Sequence, residues 1–154
     1  MGIENDIKQT RFKSEHQKAG INLMYTVREM EHRHFQLLKR FGITPPQFNI
    51  LRILRGQYPK ATTVNDLIDR MIDKASNASR IVEKLRMKHL VERSTCESDR
   101  RAVDVCITMK GLELLKQIDL VEQEFYFGLK SLSVEEAKML NDLLDKGRGI
   151  SNSQ

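Results

Sequence analysis

Two arginines and an aspartate stand together between two short stretches in which apolar and polar residues alternate. Such alternation is typical of a half-buried β-hairpin, and it places Asp99, Arg100 and Arg101 at the tip of the hairpin. Guanidinium groups at the end of a rigid ribbon can reach phosphates or a narrow minor groove. Asp99 would orient an arginine through a charge-assisted hydrogen bond. The alternative interpretation is a solvated turn, but we favour contact with DNA.

A second group of polar side chains lies on a helix predicted from about Lys74 to His89. Short polar residues at its front can approach base edges without steric bulk, and cations behind them can reach the phosphate backbone. These residues are Ser76, Asn77, Ser79, Arg80 and Lys84. Two alternatives remain open: the front residues are ordinary helix-start residues, or Arg80 forms an ion pair with Glu83 or Glu92.

A short helix precedes this one and completes a helix-turn-helix. Thr63 is its predicted N-cap, and the helix runs through Met71. We include Thr63 among the predicted DNA contacts. The helix before it has a capping box formed by Thr44 and Gln47. A hairpin directly after a helix-turn-helix is a wing.

Longer helices are predicted on both sides of this unit. One runs from about Gln9 to Phe41, with an apolar stripe at helical spacing. Another begins after Thr108 and continues through Leu129, and Ser133 opens a last helix. A long amphipathic helix with few neighbours of its own commonly packs against another chain. The fold class is therefore mainly α with a small β-hairpin, and residues 1–154 form a single domain.

The distribution of charge supports a nucleic-acid partner. The 154-residue chain carries a formal net charge of +5, and residues 74–101 hold eight Lys or Arg against four acids. Clustered positive charge of this kind is the electrostatic footprint of nucleic-acid binding. The sequence shows neither an apolar signal-peptide core nor a run long enough to span a bilayer. We therefore expect a cytoplasmic protein with no membrane partner.

Other chemistries find little support in the sequence. No nucleophile–base pair, phosphate-binding glycine loop or metal-ligand cluster is present, so we expect no enzyme activity, no cofactor and no metal. His32 and His34 lie on different faces of one helix and cannot bind the same ion. Cys96 and Cys106 flank the predicted hairpin turn. Oxidant sensing by Cys96 is an alternative to the preferred interpretation of both cysteines as bystanders.

Several motifs together resemble the MarR family of bacterial winged-helix regulators. The wing signature Asp-x-Arg-x-x-x-Val-x-Leu-Thr-x-x-Gly corresponds to Asp99, Arg101, Val105, Ile107, Thr108 and Gly111. Residues 63–67 and 79–85 match the family's third helix and recognition helix without gaps. His89 replaces a common glycine, so the helix must end on a side chain in the left-handed region.

The resemblance implies a homodimer that regulates transcription. Residues 9–42 and 108–146 would form the dimerisation helices, and residues 44–107 the winged helix-turn-helix. It further implies a pseudo-palindromic double-stranded DNA operator, with the recognition helix in the major groove and the wing in the minor groove. Repression relieved by a small-molecule effector is the expected mode. Tyr25, Met30 and Phe48 could line an effector cleft, although core packing is the preferred interpretation. The alternative function is a winged-helix protein-interaction module that binds no DNA.

Overall fold

The computed structural model describes residues 2–95, 102–121, 124, 126 and 128–149. A three-stranded sheet lies among the helices, which confirms the mainly α fold class with a winged helix-turn-helix. In chain order the elements are α1 (Ile3–Asp6), α2 (Glu15–Lys39), α3 (Pro45–Gln57), β1 (Thr62–Thr63), α4 (Val64–Arg70), α5 (Ala78–Met87), β2 (Val91–Thr95), β3 (Val103–Ile107), α6 (Met109–Asp119), a 3₁₀ turn (Leu129–Ser131) and α7 (Val134–Gly147).

Local capping interactions start most of the helices at the predicted residues. The Thr44–Gln47 capping box opens α3, and the Ser133–Glu136 box opens α7. Thr63 and Thr108 cap α4 and α6 with their hydroxyl oxygens. Each cap satisfies a backbone N–H that the helix itself leaves without a partner.

One hydrophobic core joins the helix-turn-helix to α6. Aliphatic side chains from successive elements are fully buried in it, so the apolar faces of α3, α4, α5 and α6 meet at one place. The largest of these side chains are Leu38, Ile50, Leu51, Leu54, Leu67, Leu85, Leu115 and Ile118. This shared core fixes the position of α5 relative to the helices on either side of it.

The sheet has the strand order β1-β3-β2 and is antiparallel throughout. Val91 pairs with Ile107 and Thr95 with Val103, which confirms the predicted hairpin. Val105 and Ile107 face the core at 0% and 3% exposure, as the alternation requires. The sequence did not predict β1, because two residues are too few to show a period.

The prediction that the first long helix begins near Gln9 is wrong. Ser14 caps α2 by accepting a hydrogen bond from Gln17 N, and Lys8 has a positive φ of 53°. These two features end the short helix α1 and start a new one. Lys18 of α2 forms an ion pair with Glu4 of α1, so the first residues fold back along α2.

The prediction that the helix after Thr108 continues through Leu129 is also wrong. α6 ends at Asp119, whose carboxylate accepts a hydrogen bond from Arg55 of α3 at 2.7 Å. Glu124 then pairs with Arg40 at the end of α2, at 2.9 Å. Gly128 has a positive φ of 80°, which a helix does not accommodate. The apolar period of the sequence therefore continues past Asp119, although the helix does not. Asp119 and Glu124, at and after the end of the helix, form ion pairs with residues distant along the chain.

The long helix α2 leaves most of its apolar side chains uncovered by the described residues. Only Leu37 and Leu38 are buried among its 25 residues. Its exposed apolar side chains are Leu23, Met24, Tyr25, Val27 and Phe35. α7 is similar, because none of its residues is buried. In the described ranges, no helix has the length and apolar character needed to cross a bilayer.

Candidate nucleic-acid interface

The candidate recognition helix α5 starts at Ala78, four residues later than predicted. Asn77 is its N-cap and accepts a hydrogen bond from Arg80 N at 3.0 Å. The prediction that the helix begins near Lys74 is wrong, because the backbone before Asn77 forms hydrogen bonds with side chains instead of the hydrogen bonds of a helix. Ser76 and Asn77 therefore lie just before the helix rather than on its face.

Side-chain hydrogen bonds hold the turn between α4 and α5. Asp73 accepts hydrogen bonds from Ala75 N at 3.0 Å and from the Ser76 hydroxyl at 2.7 Å, and these bonds lower the pKa of its carboxyl. Lys74 donates to the carbonyl of Ile68 in α4, and Ile72 N donates to Asn49 of α3. Asp and Ser bond to nearby backbone in this way and compete with helix formation. The spacing Asp73-x-x-Ser76 is the signal that could have revealed this turn.

The two faces of α5 differ as a DNA-reading helix requires. Ala78, Val82 and Leu85 are buried at 1% exposure or less. Ser79, Arg80 and Lys84 are exposed on the other side. The structure therefore brings these three predicted site residues together on one accessible face.

An ion-pair cluster connects α5 to the wing. Glu83 accepts hydrogen bonds from Arg86 on the same helix at 2.7 Å and from Arg93 of β2 at 2.9 Å. These two guanidinium groups lower the pKa of Glu83 to about 2. Within the described ranges Arg80 forms no ion pair, so its side chain does not compete for Glu83. The predicted alternative pairing of Arg80 with Glu83 is therefore not observed.

Two predicted contact residues have their hydroxyls engaged inside the protein. Thr63 accepts a hydrogen bond from Asp66 N at 3.2 Å and donates to the Asp66 carboxylate at 2.7 Å. Ser76 donates to Asp73, as described above. Contact of either residue with DNA stays a prediction. Their observed role is to start α4 and to shape the turn before α5.

The strands of the wing are described, but its tip is not. Asp99, Arg100 and Arg101 lie outside the described residues, as does Cys96. Their predicted roles stay predictions from the sequence. Cys106 is a free cysteine opposite Glu92 in the hairpin register.

A histidine connects the long helix α2 to α3. The ring of His34 meets that of Phe48 edge to face, with centroids 5.6 Å apart, and the Arg52 guanidinium lies 5.8 Å from the centre of the Phe48 ring. Burial and the charge of Arg52 lower the pKa of His34 to about 4. His34 is therefore neutral at pH 7. Phe48 is 5% exposed and belongs to the core, as preferred from the sequence.

We expect the stability of the fold to decrease as the pH falls from about 6.5 to about 4. In this window the unfolded chain binds a proton at His34 and the folded chain does not, so protonation favours unfolding. Because His34 is only partly buried, we expect the free energy of unfolding to fall by about 1–2 kcal/mol, which is less than the whole pKa shift would give. Urea unfolding at several pH values measures it. His34→Gln should reduce the change of unfolding free energy with pH in this window, whereas His32→Gln on the same helix should not. Identical pH profiles for the unmodified protein and both variants would contradict the assignment to His34.

A cavity of about 540 Å³ lies beside the second half of α2. Its lining includes Glu29, His32, Arg33 and Arg40, and Glu124, which is paired with Arg40. The size lies within the range of small-molecule sites. Across the described residues, no three His, Cys, Asp or Glu side chains lie close enough to hold a metal ion.

Comparison with known proteins identifies the family. The sequence profile of the MarR family matches residues 43–103, which include α3, α4 and α5 and reach β3. The crystal structure of a MarR transcription factor from Planctomyces limnophilus is 30% identical, with a TM-score of 0.68 over 88% of this chain and 99% of that one. The chain belongs to the MarR family. It is therefore a DNA-binding transcriptional regulator with a winged helix-turn-helix.

Two further proteins are similar to this chain. MhqR of Bacillus subtilis, a helix-turn-helix transcriptional regulator, is 28% identical over 132 residues, which are 84% of this chain and 88% of MhqR. BpsR of Bordetella bronchiseptica, whose DNA binding is regulated by 6-hydroxynicotinic acid, is 25% identical. Its structure matches with a TM-score of 0.61 over 82% of this chain and 98% of BpsR.

Proposed function

We propose that the protein binds a pseudo-palindromic operator as a homodimer and represses transcription there. Helix α5 of each subunit enters the major groove, and the tip of each wing reaches the minor groove. Ser79, Arg80 and Lys84 approach bases and phosphates, with Asn77 at the front of the helix. Arg100 and Arg101 contact DNA at the wing tip.

The observation that carries this proposal is the exposed polar face of α5. The opposite face of the helix is buried in the core, so the helix cannot rotate to hide its polar side chains. Glu83 and Arg93 join the helix to β2, which fixes the recognition helix and the wing relative to each other. A preorganised pair of elements loses little conformational freedom when it binds DNA.

A second copy of this chain is the expected partner of α2 and α7. Their apolar side chains are spread along two long helices, and burying such area is the main driving force of association. In a homodimer the two copies of α5 point to successive half-sites. The symmetry of the operator then follows from the two-fold symmetry of the protein.

Disrupting the apolar face of α2 should dissociate the dimer. Leu23 and Val27 are 48% and 43% exposed and lie one turn apart on the same face. We expect the double variant Leu23→Glu/Val27→Glu to sediment as a 17.9 kDa monomer under conditions in which the unmodified protein has twice that mass. Arg28→Ala, on the same helix at an 83% exposed side chain, is the control. A dimer that persists in the double variant, with circular dichroism unchanged, would contradict this interface.

A small anionic molecule is the proposed effector, by analogy with BpsR and its 6-hydroxynicotinic acid. The cavity beside α2 is lined by Arg33 and Arg40 together with Glu29 and Glu124, and a carboxylate ligand would take the place of Glu124 beside Arg40. Its walls belong to α2 and to the segment after α6. A ligand there would change the position of α2 relative to the segment after α6. That change would alter the spacing of the two recognition helices in the dimer.

The experiment that tests the DNA-binding proposal is fluorescence anisotropy with the protein's own upstream DNA across a salt series. We expect nanomolar affinity, a steep dependence on salt and a clear preference over scrambled DNA. Repeating the titration with aromatic carboxylic acids tests the effector proposal. Equal binding to both DNAs would show that the upstream region lacks an operator. Absence of binding to either would favour the protein-interaction module.

A further inference from the structure

Three segments meet where the recognition helix ends. Lys88 is the C-cap residue of α5, and its ammonium group donates a hydrogen bond to the carbonyl of Gly42, in the turn between α2 and α3. The same group donates to Gln47 Oε1 of α3 at 3.2 Å. The Lys88 side chain thus joins the end of α5 to the end of α2 and the beginning of α3.

The acceptor Gln47 is itself fixed. It is 4% exposed, and its Oε1 also accepts a hydrogen bond from Thr44 N at 3.2 Å in the capping box of α3. A buried amide oxygen with two donors has its hydrogen-bonding capacity filled. Losing Lys88 would therefore leave a buried acceptor with one of its partners missing, which is unfavourable.

The backbone around Lys88 is fixed from the other side by α6. Lys110 donates to the Lys88 carbonyl at 3.1 Å, and the Thr108 hydroxyl donates to the His89 carbonyl at 2.8 Å. His89 has a positive φ of 59°, so the chain turns sharply here, away from the direction of α5. The end of α5 is thus attached to the helices that precede and follow the winged unit.

We propose that Lys88 is a positioning residue for DNA recognition. Its ammonium points to the α2–α3 turn and binds oxygens of the protein, so it does not serve as a phosphate contact. Through Gly42 and Gln47 it adds to the core packing a polar contact that restrains the angle of α5 relative to α2. A shift of α2 therefore changes the direction of the reading face. This inference rests on the proposed DNA-binding function and adds to it the contact through which α2 acts on α5.

The test compares Lys88→Met with Lys84→Met on the same helix. Methionine keeps an unbranched side chain of similar length and removes the charge. For Lys88→Met we expect specific affinity to fall by about tenfold, with non-specific affinity and the salt slope unchanged. For Lys84→Met, whose side chain is exposed, we expect specific and non-specific binding to weaken together and the salt slope to decrease by about one per lost contact.

A second variant separates positioning from stability alone. Gln47→Glu keeps the capping box and gives Lys88 a carboxylate partner, so we expect unchanged specificity and a higher Tm. Combined with Lys88→Met, it leaves a buried carboxylate without its cation, so the Tm should fall while the ratio of specific to non-specific affinity stays at the value of Lys88→Met alone. Partial unfolding would instead lower specific and non-specific affinity by the same factor.

The outcomes distinguish this inference from the proposed function. If the unmodified protein binds no DNA with a salt dependence, the proposed function fails. If it binds, but Lys88→Met keeps the specificity ratio or loses salt slope as Lys84→Met does, only the positioning role of Lys88 is overturned.

Discussion

Replacing Gly111 by alanine should destabilise the protein by about 3 kcal/mol, although alanine is ordinarily the better helix former. A Cβ at this position would overlap the carbonyl oxygen of Leu90 and lie 2.7 Å from Ile107 Cγ1. The Leu90 oxygen accepts a hydrogen bond from Thr108 N at 3.1 Å, so it cannot move away without cost. At Gly111 the backbone of α6 therefore closely approaches the chain leaving α5.

Gly56→Ala is the matched control, because a Cβ added to this glycine of α3 would have no other atom within 4 Å. We expect this variant to be more stable than the unmodified protein by roughly 0.5 kcal/mol. Urea unfolding at one fixed protein concentration compares the two, since a dimer's stability depends on concentration. A Gly111→Ala variant as stable as Gly56→Ala would show that α6 does not approach the Leu90 carbonyl this closely.

Arg80→Ala should give the largest loss of DNA binding among single substitutions on α5. Each specific arginine contact contributes about 1–3 kcal/mol, and a homodimer loses two of them. We therefore expect specific affinity to fall by roughly 30-fold or more, measured by anisotropy at constant salt. Alanine favours the helix, and Asn77 caps the backbone N–H of residue 80 rather than its side chain, so α5 should stay folded.

The control for Arg80 is Arg28→Ala, which removes the same charge from α2. Arg28 is paired with Glu31 at 2.9 Å, far along the chain from the winged unit. Its loss should change affinity by less than about twofold, because distant exposed charges are screened. An Arg80→Ala variant that binds as tightly as Arg28→Ala would remove Arg80 from the interface.

The sequence predicted the parts of the candidate site that depend on neighbours along the chain. The Thr44–Gln47 box, the Thr63 cap and the hairpin each involve residues a few positions apart or a simple alternation. The buried face of α5 could be predicted from the helical spacing of its apolar residues. Its exposed face could then be predicted from the polar residues between them. The unusual backbone of His89 was also predicted, from the missing glycine.

The start of α5 was predicted four residues too early, because residue types such as Lys74 and Ser76 also occur within helices. What decides against it is the set of hydrogen bonds that Asp73 makes with Ala75 and Ser76. A propensity expresses only a small preference per residue, and such local bonds override it. The end of α6 was misplaced for a comparable reason, since the apolar period continues past Asp119.

The sequence by itself indicated the family, the order of the long helices and the polar residues on the exposed face of α5. Only the tertiary structure decided which elements hold that face in place. Lys88 and Gly42 are separated by 46 positions, and Arg55 and Asp119 by 64. Such pairs form only after the core has brought their elements together, and no periodicity or spacing along the chain records them. Their geometry depends on the packing of the whole unit, which is why the connection from α2 to the recognition helix became visible only in the folded protein.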